Sequence, residues 1–469
     1  MHDEPVTSWA QRAPFDTFTW LALCWESWIA GRSDRDAVMA RRDARLTQLV
    51  AWARSHSPFY RERYRSLRTA SETLGALPPV TRHELMADFD RWVTDPAITL
   101  EGVLAFVSDR ERVGHPFLGR YAVWTSSGTG GEPGLYIQDA DALAVYDALQ
   151  AVRFGSTALR PNFLLDLVGR GGRFAMVAAT GGHFAGVASM QRLRQLNPLL
   201  RDRLRVVSIL QPIAGLVREL NEFQPACIAT YPTAAALLAH EQAAGRLAVR
   251  PAAIWTGGEW LSVGTRQHLR EVFGCPVVDD YGASEFMSIA FDCGHGWLHL
   301  NADWVVLEPV DRDYQPVVPG TPSHTVLLTN LANKTQPIIR YDLGDSVTFK
   351  PGLCECGSAL PALRVEGRQD DLLAFPAPDG ATVRLLPLAL TTILEEEAEL
   401  FEFQLVQNAP DALVVRLEQG ERAAWGRVYE ALRAYLRQQG LSHVQPVLDT
   451  EPPARSPVSG KVRRVICSL

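Results

Sequence analysis

The sequence has no run of about 18 apolar residues, so it offers no candidate for a membrane-spanning helix. Its first residues, Met1-His-Asp-Glu-Pro5, have neither the basic region nor the apolar core of a secretory signal, and a cytoplasmic location is expected. Positive charge is not in excess: 46 Lys and Arg stand against 53 Asp and Glu, a net charge of −7. With no basic stripe interleaved with aromatics, there is no electrostatic case for a nucleic-acid partner. Seven cysteines in 469 residues are too few for a disulfide framework, and a reducing compartment keeps them as thiols. Internal repeats and low-complexity tracts are also missing. What is present is ordinary for a soluble globular protein, 47% apolar and 21% charged residues. The length exceeds what one core organises, so two or more domains are expected.

Helical spacing over Ala37 to Ala51 and Thr81 to Trp92 predicts a helical cap across residues 1–120. From there to about residue 310, apolar runs alternate with helical stretches. Phe174 to Ala179, Ala226 to Thr230 and Ala253 to Thr256 read as strands, and Thr233 to Gly245 and Val263 to Phe273 as helices. Such alternation predicts an α/β fold with parallel-rich sheets layered with helices. Turn signals between 305 and 365 predict a small β unit, completing a large N-terminal domain over 1–366. Residues 367–469, with a helix at 424 to 438 and a strand at Leu413 to Leu417, have the size of a separate α+β domain.

Trp124-Thr-Ser126-Ser127-Gly128-Thr129-Gly130-Gly131-Glu132-Pro133 lies between a strand entering it and a helix, Asp139 to Phe154, leaving it. Small residues let backbone N–H groups close around an anion, and the hydroxyls add neutral donors. No Gly-Lys-Ser/Thr follows, so it is not a Walker loop. The predicted strands end in Thr180-Gly-Gly-His183, Thr230-Tyr-Pro-Thr233, Thr256-Gly257-Gly258-Glu259 and Asp280-Tyr281-Gly282-Ala283-Ser-Glu285. Ligands bind beyond the carboxyl ends of parallel strands, so these clusters should converge on one cleft. His183, Phe184, Tyr231, Trp255 and Ala283 are candidate walls for an aromatic acid. A histidine held by a backbone carbonyl is the competing reading of His183.

Five elements in order carry a resemblance: Ser126 to Pro133, Tyr281 to Glu285, Arg340-Tyr-Asp-Leu-Gly-Asp345, Gly367-Arg368-Gln-Asp370-Asp371, and Ser459-Gly-Lys461-Val-Arg-Arg464. They resemble the adenylate-forming superfamily of acyl- and aryl-CoA synthetases, in the branch of phenylacetate-CoA ligase and the capsule-protein and coenzyme F390 synthetase-like proteins. Pro58-Phe-Tyr60 and Leu77-Pro-Pro-Val-Thr-Arg82 extend the likeness over nearly the whole chain.

The resemblance implies attack of a carboxylate on the α-phosphate of ATP, releasing pyrophosphate and leaving an acyl-adenylate. By residue-wise carry-over, Lys461 is the catalytic lysine, and Ser126, Ser127, Gly128, Thr129, Gly130 and Gly131 hold the phosphates. Tyr281 stacks on adenine beside Gly257, Gly258, Glu259, Asp280 and Gly282. Glu285 holds Mg²⁺, Asp345 accepts both ribose hydroxyls, Arg368 contacts the nucleotide, and Asp370 marks the hinge of a small mobile C-terminal domain. Many members carry a lysine or arginine where this chain has Glu132. The strand expected to line the thiol tunnel is replaced by Phe375 to Pro387. Adenylation is therefore better supported than transfer, with coenzyme A, an amine or a carrier-protein thiol as acceptors. An adenylyltransferase that leaves AMP on its product, or a silent nucleotide-binding protein, are the alternatives. The family's habit allows a homodimer.

Cys293, His299, Cys354 and Cys356 form a three-thiolate, one-imidazole set of the kind a structural Zn²⁺ takes. His299 is preferred over His295 because Leu298-His-Leu300 reads as a strand that can aim it inward. Free buried thiols are the alternative.

Overall fold

The computed structural model describes residues 17–65, 74–126, 134–158, 163–366, 372–454 and 462–468. The N-terminal part is helical, with Thr17–Ala30, Arg35–His56, Pro58–Arg63, Arg82–Ala87, Phe89–Trp92 and Leu100–Val107 as its helices. Each of the last five has a polar residue at its N-cap position. Thr81 and Glu84 form a reciprocal capping box on Arg82–Ala87, which satisfies two orphan N–H groups. The helix expected across Thr81 to Trp92 breaks at Asp88, whose φ of −121° and ψ of 35° lie outside the helical range.

The strands in chain order are β1 (Ala122–Thr125), β2 (Leu135–Gln138), β3 (Phe174–Ala178), β4 (Leu204–Ser208), β5 (Cys227–Thr230), β6 (Ala253–Gly257), β7 (Val277–Ala283), β8 (Phe286–Asp292), β9 (Leu298–Leu300) and β10 (Val305–Val310). There follow β11 (Thr325–Asn330), β12 (Tyr341–Asp342), β13 (Val347–Phe349), β14 (Ala362–Val365), β15 (Leu373–Pro376), β16 (Thr382–Leu385), β17 (Phe403–Ala409), β18 (Ala412–Leu417), β19 (Gln445–Leu448) and β20 (Val465–Cys467).

A nine-stranded sheet in the order β13-β14-β9-β8-β7-β6-β5-β3-β4 is the frame of the molecule. Strands β4, β3, β5, β6 and β7 are parallel, and the other side is antiparallel. Helices Pro232–Ala243 and Val263–Phe273 connect the parallel strands. The second starts on Ser262, which accepts from the Thr265 N–H, and stops on Gly274 at φ +64°, where only glycine is unstrained. Strands β10, β11 and β12 form a separate antiparallel sheet.

The C-terminal unit is a four-stranded sheet, β19-β18-β17-β20, with helices Pro387–Glu397 and Trp425–Gln438. Its Leu390, Phe403 and Leu432 belong to the same apolar cluster as Val177, Ile228 and Ile254 of the parallel strands. A second cluster joins the N-terminal helices to β1, β2 and the antiparallel side of the large sheet, through Tyr60, Trp92, Trp124 and Phe286. No described helix is long and apolar enough to cross a membrane.

One expectation is corrected. The glycine-rich loop does not run from a strand into a helix: it joins β1 to β2, which pair antiparallel with Ala122 opposite Gln138 and Thr125 opposite Leu135. The buried run Leu135-Tyr-Ile-Gln138 takes that register. The helix Ala140–Ala158 therefore begins at the far end of the hairpin, away from the loop. Its N-terminal dipole does not serve the loop, so anion binding there depends on loop N–H groups, hydroxyls and side chains brought from elsewhere.

Candidate functional site

The base of the loop is closed on both sides. The Ser126 N–H donates to the Gly134 carbonyl at 2.9 Å, and the Gly134 N–H donates to Ser126 Oγ at 3.1 Å. Ser127, Gly128, Thr129, Gly130, Gly131 and Glu132 lie outside the described residues. The base is seated between two strand-end clusters. Thr125 N–H donates to the His183 carbonyl at 2.9 Å, and the Trp124 indole donates to the Ser284 carbonyl at 2.7 Å.

Ser284 belongs to the turn between β7 and β8. A Cβ on Gly282 would stand 2.1 Å from the Met287 carbonyl oxygen, so this turn needs glycine. Just before it, the Tyr281 hydroxyl donates to Asp345 Oδ2 at 2.8 Å. Burial and that carboxylate push the Tyr281 hydroxyl well above its ordinary range, so it remains a donor.

Glu285, at 2% exposure, is held by a directional chain. Arg82 Nε donates to Tyr341 Oη at 3.1 Å, and the Tyr136 hydroxyl donates to Glu285 Oε1 at 2.6 Å. The two phenol oxygens are 3.0 Å apart. Each hydroxyl has one proton, and that of Tyr136 is committed to the carboxylate, so Tyr341 is the donor between them. Arg82 Nη2 also lies 3.7 Å from Glu285 Oε1. Tyr341 and Arg82 each lie within a motif that carries the resemblance but without a role there, and Tyr136 lies in none of the motifs. Neither the motif Leu77 to Arg82 nor the capped helix that starts at its end says anything about the distant partner of Arg82.

The remaining strand-end residues divide. Glu259 accepts from the Thr233 N–H and hydroxyl, both at 3.0 Å, and so caps the helix Pro232–Ala243. Gly258 has φ +78°, and a Cβ there would meet the Tyr231 ring at 3.2 Å. A Cβ on Gly257 would stand 2.4 Å from Asp280 Oδ1. Burial, then the neighbouring Asp279 charge, pushes Asp280 up to about 8, while a hydrogen bond with the Trp255 side chain opposes the rise. Burial pushes Asp279 up to about 7, opposed by the Thr256 hydroxyl at 2.7 Å. Trp255 and Ala283 are half-buried.

His183 is 1% exposed, with Nε2 3.0 Å from the Asp109 carbonyl and its ring 5.3 Å from Phe106. A carbonyl can only accept, so Nε2 carries the proton; burial lowers the pKa and favours the neutral ring. Half-buried Phe184 bridges to Thr125. Against this loop lies the end of helix Pro387–Glu397: a Cβ on Gly182 would meet Glu396 Oε1 at 2.8 Å. Arg110 lies 3.8 Å from Glu396 and 3.2 Å from Glu397. Arg464 donates to Glu395 at 2.5 Å and to the Phe401 carbonyl at 2.8 Å. Arg368, Asp370 and Lys461 lie outside the described residues.

On the antiparallel side, the ligand atoms of Cys293, His299, Cys354 and Cys356 all lie within 4.8 Å of one another. Cys293 Sγ is 3.8 Å from Cys354 Sγ, and Cys356 Sγ is 3.2 Å from His299 Nε2. His299 Nδ1 is 2.8 Å from the Leu360 carbonyl, which makes Nδ1 the protonated nitrogen and leaves the Nε2 lone pair facing the thiols. His295 is exposed in the adjoining loop.

No protein-family model matches the chain. Protein CapK of Staphylococcus aureus is 26% identical over 225 residues, 47% of this chain and 48% of that protein, so the match spans about half the relative's length. Phenylacetate-coenzyme A ligase of Thermus thermophilus is 23% identical over 461 residues, 92% of this chain and 97% of that protein. Among solved structures, 2-hydroxyisobutyryl-CoA ligase with 2-HIB-AMP and CoA in the thioesterification state aligns with a TM-score of 0.57 at 20% identity, over 93% of this chain and 91% of its own. The same enzyme in the postadenylation state gives a TM-score of 0.53 at 20% identity, over 91% and 89%. The chain is thus similar to a phenylacetate-coenzyme A ligase along nearly its whole length, and its fold is similar to that of 2-hydroxyisobutyryl-CoA ligase.

Proposed function

We propose that the chain adenylates a carboxylic acid, expected to be aromatic, with ATP and releases pyrophosphate. The observation that carries this reading is the convergence at one mouth of the closed loop base Ser126/Gly134, the Tyr281–Asp345 pair and buried Glu285. A carboxylate oxygen of the acid attacks the α-phosphorus, the bond to the bridging oxygen breaks, and its electron pair leaves with pyrophosphate. Two anions meet in that step, so fixed donors and positive charge are the main catalytic requirement.

In this reading the loop Ser126 to Gly131 cradles the phosphates and Asp345, oriented by Tyr281, takes the ribose hydroxyls. Asp280, with Gly257 and Gly258 beside it, borders the base. Gly282 lets the turn close, Glu259 holds the adjoining helix, and Arg368 adds a nucleotide contact. Glu285 offers the hard carboxylate oxygen that Mg²⁺ prefers, and the ion would neutralise charge on the phosphates. Lys461, which precedes β20 in the sequence, supplies the charge at the reacting phosphorus. Asp370 is the hinge on which residues 367–469 turn before transfer to coenzyme A. Phe184, Tyr231, Trp255 and Ala283 border the acid, and His183 supports them through the Asp109 carbonyl. Cys293, His299, Cys354 and Cys356 hold a structural Zn²⁺, because three soft thiols and an oriented imidazole make a closed tetrahedral donor set.

The test is pyrophosphate release from Mg-ATP across a panel of aromatic and aliphatic acids, with and without coenzyme A. Acid-dependent release is expected, with a thioester forming when coenzyme A is present. Release that depends on a hydroxyl or amine acceptor, with AMP retained on the product, would replace ligation by adenylyl transfer. Silence with every acid would refute the reading.

A further inference from the structure

Glu285 is held through one of its two carboxylate oxygens. The Tyr136 hydroxyl donates to Oε1 at 2.6 Å, and Arg82 Nη2 stands 3.7 Å from the same atom. Among the described residues nothing donates to Oε2. The side chain is only 3% exposed, and a charged oxygen so far from water costs free energy until a hydrogen bond or a cation satisfies it. The lone pairs of Oε2 are of the hard kind that a divalent cation such as Mg²⁺ takes.

We propose that Tyr136 is a positioning residue for this cation: with Tyr341 behind it, it fixes Glu285 by Oε1 so that Oε2 is the atom presented to Mg²⁺. This rests on the adenylation reading, in which Glu285 holds Mg²⁺, and adds two residues that act through that carboxylate.

Each link has a direction. Tyr136 lies in β2 at 1% exposure, and burial followed by the Glu285 charge raises its hydroxyl well above the ordinary range, so it remains a donor. Its oxygen accepts from Tyr341 at 3.0 Å, and the Tyr341 oxygen accepts from Arg82 Nε at 3.1 Å. A hydroxyl that is itself accepting is polarised and donates more strongly, so Tyr341 strengthens the grip of Tyr136 on Oε1. The backbone beneath is held too. Asn330 Nδ2 donates to the Glu285 carbonyl at 2.8 Å, and the Trp124 indole donates to the Ser284 carbonyl at 2.7 Å. The carboxylate therefore has little freedom left to lose when a cation arrives, which is what outer partners of a metal ligand provide.

The test measures, by calorimetry on the full chain, the affinity for ATP with excess Mg²⁺, for ATP with no divalent ion added, and for AMP. Wild type, Tyr136→Phe and Tyr341→Phe are compared. Phenylalanine fills the space of the ring and removes only the hydroxyl. For Tyr136→Phe, the tightening of ATP by Mg²⁺ should shrink by about 10- to 100-fold, the scale of losing an outer partner of a metal ligand, with metal-free ATP and AMP within about twofold. Tyr341→Phe leaves the bond to Glu285 in place, so a smaller loss in the same direction is expected. With Glu285→Gln already present, Tyr136→Phe should change the Mg²⁺ response no further, because its effect passes through that carboxylate. Equal losses for all three ligands, no loss, or a loss that adds in full to that of Glu285→Gln would overturn the role. If Tyr136→Phe does not fold, Tyr341→Phe decides by the same criteria. Wild type that binds no ATP would overturn the adenylation reading and this role with it. Wild type that binds Mg-ATP no better than Tyr136→Phe does overturns this role alone.

Discussion

Tyr281 donates its hydroxyl to the carboxylate of Asp345 at 2.8 Å, tying the end of β7 to the loop after β12. This bond holds a buried aromatic ring and a carboxylate in fixed relation. Tyr281→Phe keeps the ring and removes the tether. The expected result is a rise of about 3- to 10-fold in KM for Mg-ATP, the effect of losing about one neutral hydrogen bond, with kcat little changed. An unchanged KM would show that Tyr281 does not orient Asp345 for nucleotide.

Gly282 admits no side chain. Its missing Cβ would stand 2.1 Å from the Met287 carbonyl oxygen, a backbone atom that cannot swing away. Gly282→Ala should therefore part β7 from β8 and destabilise by about 1–3 kcal/mol or more, as overpacking does. Urea unfolding monitored by tryptophan fluorescence reads this directly, and an unshifted midpoint would contradict the geometry.

Asp279 gives a stability dependence with a defined sign. Burial raises its folded pKa to about 7 against 3.8 for the free side chain. Between those values the folded state holds a proton that the unfolded chain has released. Stability from this group is thus full below about pH 4, falls as pH rises towards about 7, and is level above. Asp279→Asn can still accept from Thr256 but does not titrate. Relative to wild type it should gain up to about 1.4 kcal/mol per pH unit across that window. Parallel stability curves for the two proteins between pH 4 and 7 would rule this out.

The Cys293, His299, Cys354, Cys356 set predicts about one zinc per chain by elemental mass spectrometry of protein purified without chelator. Cys354→Ser should lose the metal and lower the thermal midpoint. Prolonged chelation of wild type should give the same shift, because site formation and folding of the surrounding loops are linked. Metal-free wild type with full stability would leave the cluster as packed thiols.

Much of the frame was legible because its signals are local. The alternation that marked Phe174 to Ala179, Ala253 to Thr256 and Leu298 to Leu300 reflects strands buried within one sheet. Ser262 and Gly274 bracket the helix Val263–Phe273 through caps that act over three or four residues. The strand-end clusters and the Cys/His set were visible for a similar reason, since their residue types are unusual and closely spaced. The hairpin after Thr125 was not. Leu135 to Gln138 is a short apolar run beside a helical pattern, and only pairing with β1 distinguishes it from that helix's first turn.

By itself, then, the sequence determined the element types, the motif residues and the kinds of chemistry they can carry, because propensity and capping depend on near neighbours. The tertiary structure decided which elements meet. Arg82, Tyr136, Glu285 and Tyr341 come from four separate segments and touch only through strand order and register, with Tyr136 and Tyr341 separated by 205 positions. No local pattern encodes such a distance; burial of the two apolar clusters on either side of the large sheet brings those side chains together.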